Sequence, residues 1–392
     1  MVDMDVSKFA KKELLAMGGG SSTRAAVAPD PKLINLGAGD PDFNQPSFIN
    51  KAVYDAMKQG HTHYEFTGVP VFKDAIAKYY SKYGVKIDPN TQLCIDSGGS
   101  QAIFRAFGAI LNPGDEIILL DPAYQGYFQP AAYFGAKMVR VAMKKDKKGL
   151  WRPDVPAIAK ACTPKTKAIM ICSPDNPTGA VYTEKELKAL ADVCVEKDIL
   201  CISDEIYTEF IWGRKKFIPT MSIKGMEDRT LALMSFSKTF AWTGCRAGYT
   251  IASPELSNLL NEVPIGIIGM PVPFQYAGAA ALEKGWGFVK KMRKEYKKRI
   301  DFSVKRLNEI KDIKCPYPEG TFYVFPDISA VGMSSAKFGQ ELLLQEKLRG
   351  APGTGYGQAA EGYIRFALVD NMDRLEDAWN RVEHFVKKNG KK

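Results

Sequence analysis

The chain has 392 residues, 45% of them hydrophobic and 25% charged, the make-up of an ordinary globular protein with room for one large α/β domain and a smaller one. Its formal net charge of +10 suggests nucleic acid at first sight, but the excess sits mostly in KKMRKEYKKR (290–299) and the terminal KKNGKK. These read as a solvated helix face and a frayed end, so no nucleic-acid partner is expected, while anionic small substrates would benefit from the same field. Seven scattered cysteines without a CxxC pair argue for reduced thiols, and three histidines (His61, His63, His384) leave little material for a histidine-rich zinc site or a Ser-His-Asp triad.

No run of eighteen apolar residues occurs, and the N-terminus lacks the apolar core of a signal peptide, so a cytoplasmic protein without a membrane span is expected. Residues 1–44 contain no obvious unit of their own and are expected to pack with the smaller domain; GGGSS (18–22) reads as a mobile lead-in. From about residue 92, seven short apolar runs read as strands: QLCID, EIILLDP, KMVRVAM, KAIMICSP, ILCISDEIY, TLALMSFS and GYTIAS. SQAIFRAFGAIL and TEKELKALADVCVEKD have helical spacing. This alternation predicts an α/β fold, with a mostly parallel seven-stranded sheet flanked by helices across residues 45–285. After about residue 285 a long charged helix, the strand-like pieces TFYVF and YIRFAL and a closing helix predict a smaller α+β domain over 286–392.

Ligands of such sheets collect at the carboxyl ends of the strands, and the informative motifs follow those runs. DSGGSQAIFRAF (96–107) puts Gly98, Gly99 and Ser100 between a strand and a helix, where free N–H groups and the helix dipole can seat an anion, although glycine turns before helices are common. It is not GxGxxG, and no GxxxxGK[ST] exists, which removes the dinucleotide and nucleotide-triphosphatase readings. DPAYQGYF (121–128) ends a strand with Tyr124 and Tyr127, rings that can cap a core or stack on a planar cofactor. SPDNPTG (173–179) is an ordinary turn signal containing Asn176. ISDEIYTEF (202–210) places Asp204 at the tail of an apolar run, where a carboxylate is costly unless a cation meets it. SFSKTFAWTGCRAGY (235–249) sets Lys238 among hydroxyls, with Arg246 eight residues later.

One cofactor uses an anion seat, a stacking ring, a buried carboxylate, a turn asparagine and a lone lysine together: pyridoxal 5'-phosphate. It needs a lysine for the imine, a carboxylate to keep its pyridine nitrogen protonated, a ring to lie against and a phosphate cradle.

With these motifs the sequence resembles the class I/II aminotransferases of the aspartate aminotransferase superfamily, the fold type I pyridoxal-phosphate enzymes, in the prokaryotic aspartate and aromatic branch. The resemblance runs from LGAGDPDF (36–43) to YIRFAL (363–368), and its most specific motif is SFSKTFAWTGCRAGY. It implies that Lys238 bonds the cofactor and acts as general base, that Asp204 pairs with the pyridine nitrogen, and that Asn176 and Tyr207 hydrogen-bond the phenolic oxygen. It implies Tyr124 as the stacking ring. Gly99, Ser100 and Gln101 by their backbone, with Ser235, Ser237 and Arg246, would hold the phosphate. Arg365 would grip the substrate α-carboxylate by a bidentate fork, with Gly39 approaching the same group. Tyr64 matches a tyrosine that reaches the neighbouring subunit's phosphate, which implies a homodimer with shared active sites.

The resemblance also implies the reaction: an amino group moves from an L-amino acid to the cofactor and then to an oxo acid such as 2-oxoglutarate, by a ping-pong mechanism. Departures from the pattern bear on substrate. HYEFTGVP (63–70) has one residue fewer between Tyr64 and Gly68, and Ser100 stands where some relatives carry a lysine for a distal carboxylate. Arg105 and Arg24 are the remaining candidate cations. IIGMPVPFQYA (267–277) replaces polar residues that face the partner's site in many relatives. Aspartate or glutamate, aromatic and small aliphatic donors therefore stay open, as does a β-eliminating lyase; a non-catalytic binding protein on this scaffold need not keep Lys238, Asp204 and Arg246.

Overall fold

The computed structural model describes residues 6–10, 12, 30–264 and 269–390. The GGGSS lead-in, Arg24 and the first two residues of IIGMPVPFQYA lie outside them.

All seven predicted strands form, each within two or three residues of its run: β1 (Leu93–Asp96), β2 (Glu116–Asp121), β3 (Lys137–Ala142), β4 (Thr166–Cys172), β5 (Leu200–Asp204), β6 (Thr230–Ser235) and β7 (Gly248–Ile251). They make one sheet in the order β1-β7-β6-β5-β4-β2-β3. Strand β7 runs antiparallel to both neighbours and every other pair is parallel. The central strands are buried along almost their whole length, which is why they read as unbroken apolar runs rather than alternating ones. Register aligns their carboxyl ends: Cys172 pairs with Asp204, Asp204 with Leu233, and Gly248 sits between Ser235 and Asp96.

The helices cover both faces. The sequence reading left residues 45–91 unassigned, and two helices form there, α1 (Ser47–Lys58) and α2 (Pro70–Ser81). Proline opens α2, where its missing N–H costs nothing, and Phe72, Ile76, Tyr79 and Tyr80 recur on one buried face. Helix α3 (Gly99–Ile110) follows β1. Helix α4 (Glu184–Glu196) starts on a reciprocal cap, in which Thr183 Oγ1 accepts from Glu186 N and Glu186 accepts from Thr183 N. The four-residue α5 (Phe236–Thr239) continues directly from β6. Helix α6 (Val272–Lys284) packs on α1 and α2.

A second core lies beyond α6. The long charged helix begins where expected, as α7 (Trp286–Glu309), and packs with α8 (Ser335–Glu346) and α9 (Met372–Asn389) around a small antiparallel sheet. In that sheet β10 (Ile364–Ala367) lies between β8 (Tyr323–Val324) and β9 (Ala351–Pro352). The strand in TFYVF shrinks to two residues because Thr321, at φ 65°, leaves the extended region; its N–H goes to Phe210 O instead. Ile34–Asn35 pairs in parallel with Leu348–Arg349, and Ile34 and Leu36 are buried in this second core.

Candidate active site

Strand β6 passes into α5 through Ser235, whose Oγ accepts from Ser237 N at 3.1 Å and donates to Ala247 O at 3.0 Å. Ser237 Oγ stands 2.9 Å from the same atom. The turn so fixed aims Lys238 across the sheet's edge, where its Nζ donates to the carbonyl of Gly39. Burial lowers the Lys238 ammonium to about 8; the Arg365 cation adds to this, Asp40 and Asp204 oppose it, and Arg246 adds a smaller push.

The corner expected to seat a phosphate is built from β1, α3 and the β6–β7 connection. Gly98 turns at φ 77°, and a Cβ there would lie 2.7 Å from Arg246 Nη2, so glycine is required for the guanidinium to approach. Arg246 is held by Thr243 O at 2.8 Å and Ser97 O at 3.3 Å. Gly99 begins α3 opposite the Ser235 side chain. Gln101 turns its side chain back on Ser97 N, and Ser100 is exposed.

Asp204 closes β5 and is buried. It accepts from Tyr127 Oη at 2.7 Å and from Ile206 N at 3.1 Å. Burial raises its carboxyl above the usual range more than these donors and Lys238 lower it. Tyr124, half-buried, meets Tyr127 edge to face at 5.4 Å.

Arg365, on β10, comes from the opposite side. Its Nη1 donates to Asn176 Oδ1 at 2.9 Å and its Nη2 to Gly37 O at 2.6 Å. Its guanidinium lies 4.2 Å over the ring of Tyr323 and 5.2 Å from that of Tyr356, and its buried Nε has no hydrogen-bond partner among the described residues. Tyr207 Oη and Tyr323 Oη are 2.6 Å apart. The LGAGDPDF segment lies across this group as a strap. Beyond the Gly37 and Gly39 carbonyls, Asp40 accepts from Thr243 Oγ1 at 2.7 Å, and Asp42 takes both Nη atoms of Arg299 at 2.7 and 2.9 Å.

The structure thus draws together Lys238, Asp204, Asn176, Tyr207, Arg365 and Gly39, with Ser235, Ser237, Gly99 and Arg246 in the adjoining corner. Tyr64 is not brought in by its own chain: it is 80% exposed and lies against the exposed ring of Phe66. Sequence reasoning noted Tyr127 without giving it a partner and missed Tyr323, Gly37 and Thr243. The strand TFYVF was the available signal for Tyr323, but only the packing of the second core shows that its hydroxyl meets Tyr207. Among the described residues no group of three or more His, Cys, Asp or Glu could hold a metal ion, and no helix is long and apolar enough to cross a membrane.

Fold and relatives define a transferase of amino groups. The family model described as "Aminotransferase class I and II" matches residues 31–381. The chain is 36% identical to "Aromatic-amino-acid aminotransferase 2" of Thermococcus litoralis and 37% identical to the "Aspartate aminotransferase" of Pyrococcus abyssi, in each case over 91% of this chain and 92% of the relative. Among solved structures it matches an aromatic aminotransferase from Pyrococcus horikoshii with a TM-score of 0.88 at 35% identity, covering 94% of this chain and 98% of that one. The chain belongs to the class I and II aminotransferases, a pyridoxal-phosphate-dependent family of the type I fold.

The residues present fit that cofactor. Asp204 is a buried carboxylate whose two donors here, the Tyr127 hydroxyl and the Ile206 backbone N–H, are uncharged, and a protonated ring nitrogen is the cation it lacks. The Gly98 corner, which a Cβ would fill, opens onto Arg246 and the start of α3, a donor set for a phosphate. Lys238 stands between them, within electrostatic reach of both Asp204 and Arg246, and its lowered basicity brings the free amine within reach.

Proposed function

We propose that this chain is a pyridoxal-phosphate-dependent aminotransferase that uses aspartate and glutamate, with aromatic donors competing, and passes the amino group to 2-oxoglutarate by a ping-pong mechanism. The convergence of Lys238, Asp204 and the Arg365–Asn176 pair on one strand-end cleft carries the reading.

When bound, pyridoxal phosphate supplies an aldehyde that takes the amino group and a ring that accepts the electrons released at Cα. Arg246, Ser235, Ser237 and the backbone of Gly99, Ser100 and Gln101 would hold its phosphate, Tyr124 would lie against its ring, and Asp204 would hold a proton on its nitrogen. Asn176 and Tyr207 would face its phenolic oxygen. Arg365 gives up Gly37 O for the substrate α-carboxylate, a charged acceptor in place of a neutral one, and remains oriented by Asn176. Lys238 moves the proton at Cα through Nζ. A drop from 10.5 to about 8 increases its neutral fraction near pH 7 by about two orders of magnitude.

The reading also assigns residues 45–285 to a cofactor-binding domain and 286–392 to a smaller one, with residues 1–44 joined to it, as the Ile34–Leu348 pairing supports. It includes a homodimer in which Tyr64 reaches the partner's phosphate; the exposed Tyr64–Phe66 pair suits such a contact. Seven free cysteines suit the reducing cytoplasm. The test is a screen of amino donors with 2-oxoglutarate. Oxo-acid-dependent transfer supports the reading, and ammonia release without an oxo acid would replace it with a lyase.

A further inference from the structure

Two buried phenols with a single hydrogen bond between them, Tyr207 and Tyr323, stand where the two halves of the site meet. Tyr323 is on β8 beside β10, and its register partner Ala367 lies two residues from Arg365. Its Oη is walled on one side by the strap, since a Cβ added at Gly39 would lie only 2.0 Å from it. Over its ring sits Arg365, a group with donors and no acceptor. The pair holds two hydroxyl protons for one bond. Either hydroxyl can donate to the other in the empty site, but an anionic acceptor placed against Tyr207 Oη selects one order: Tyr207 donates to the ligand and accepts from Tyr323, which uses both protons.

We propose that Tyr323 is a positioning residue: it fixes Tyr207 as a hydrogen-bond donor to the phenolic oxygen of the bound cofactor and links the strength of that donor to the occupancy of Arg365. The proposal rests on the aminotransferase reading above and deepens it. Burial keeps the Tyr323 phenol protonated, despite the nearby Arg365 cation, so it remains a donor at working pH. Two hydroxyls donating in series polarise one another, and the second donates more strongly for having accepted. The Arg365 cation over the ring draws electron density from the first hydroxyl. A substrate carboxylate that neutralises Arg365 therefore weakens the chain at the moment of binding.

A donor at the phenolic oxygen favours the form in which that oxygen carries its full negative charge, so it lowers the pH at which the Lys238-bound cofactor gives up its proton. The experiment is a visible-absorbance pH titration of the reconstituted enzyme as wild type, Tyr323→Phe, Tyr207→Phe and the double variant, with thermal midpoints to confirm folding. The Tyr323→Phe midpoint should rise by about half a pH unit, the scale of one neutral hydrogen bond. Tyr207→Phe should raise it further, and the double variant should match Tyr207→Phe, because Tyr323 acts only through Tyr207. The phenylalanine ring stays under Arg365, so kcat should fall several-fold while KM for the amino acid changes less. An unmoved midpoint in Tyr323→Phe, or shifts that add in the double variant, would overturn the proposal and leave the aminotransferase reading standing. A wild-type protein with no visible band on adding pyridoxal phosphate would overturn both.

Discussion

Arg105 Nε, on α3, lies 2.9 Å from Oδ1 of Asp96 at the end of β1, and both side chains are buried. The arginine five residues past Ser100 is thereby spent on the carboxylate that ends the preceding strand, with Asn261 taking another of its N–H groups at 3.0 Å. It cannot read the far end of a dicarboxylic substrate. Ser100 is exposed at the start of α3, so a cation placed there costs no burial. Ser100→Lys should raise the ratio of kcat/KM for aspartate over phenylalanine about tenfold, on the order of 1.4 kcal/mol. An unchanged ratio would mean that another residue reads the distal carboxylate.

Lys238→Ala should abolish transamination while the protein still binds pyridoxal phosphate through Arg246 and the α3 corner. Borohydride reduction of the wild-type holoenzyme followed by peptide mapping should place the label on Lys238. Label on any other lysine would refute the assignment.

Replacing Asp204 by alanine should leave a folded protein whose turnover is lower by about a hundredfold to a few thousandfold, because the ring nitrogen loses the buried carboxylate that holds its proton. Steady-state kinetics together with the holoenzyme spectrum measure this. Near-normal turnover would remove Asp204 from the mechanism.

Glu205, next in the chain, gives a pH-dependent stability effect. It is buried, takes Thr220 N and Ser203 Oγ on one oxygen, and leaves the other unpartnered among the described residues. Burial pushes its carboxyl up from 4.5 to about 7. A carboxyl raised in the folded state favours folding most below its unfolded value, and that contribution is lost as pH climbs through the folded value. Glu205→Gln should therefore gain stability relative to wild type between about pH 4.5 and 7, by about 2 kcal/mol or more across that window. Urea unfolding at pH 5 and pH 8 measures it, and a difference independent of pH would show that Glu205 ionises freely.

Gly39→Ala should be severely impaired, because its Cβ would fall 2.0 Å from Tyr323 Oη. Removing that hydroxyl leaves Tyr323 Cζ, at 2.9 Å, as the nearest atom. Adding Tyr323→Phe to Gly39→Ala should then recover part of the lost kcat/KM, and no recovery would mean that alanine acts through the strap's backbone instead.

How far the sequence discloses this site depends on whether a residue's role is set by its neighbours in sequence or in space. Strands β4, β5 and β6 were legible as apolar runs because both faces are covered, and Asp204 and Lys238 stood out because a charge at the end of such a run demands a partner. Helices α1 and α2 went unassigned because neither carries a side-chain cap and the segment between them is irregular. Tyr323 and Gly37 were invisible for a different reason. Their partners, Tyr207 and Arg365, are 116 and 328 residues away, and nothing in either local sequence encodes those meetings.

Seen as a chain emerging from the ribosome, the sheet has an order of completion. Strands β2 to β6 can each pair with a parallel neighbour once residue 235 has been made, but β1 has none until β7 arrives, because β7 is its sole partner in the sheet. The glycine turn after β1 and the serine turn after β6 flank the single strand that separates them. A nascent chain that ends before Gly248 has made Lys238 and Asp204 without the pairing that sets them beside Gly98 and Gly99. Such long-range closure is slow relative to local helix formation. The cofactor's seat is therefore among the last parts of the large sheet to exist, and a chain stalled short of β7 holds a nucleophilic lysine without the anchor that would direct its chemistry.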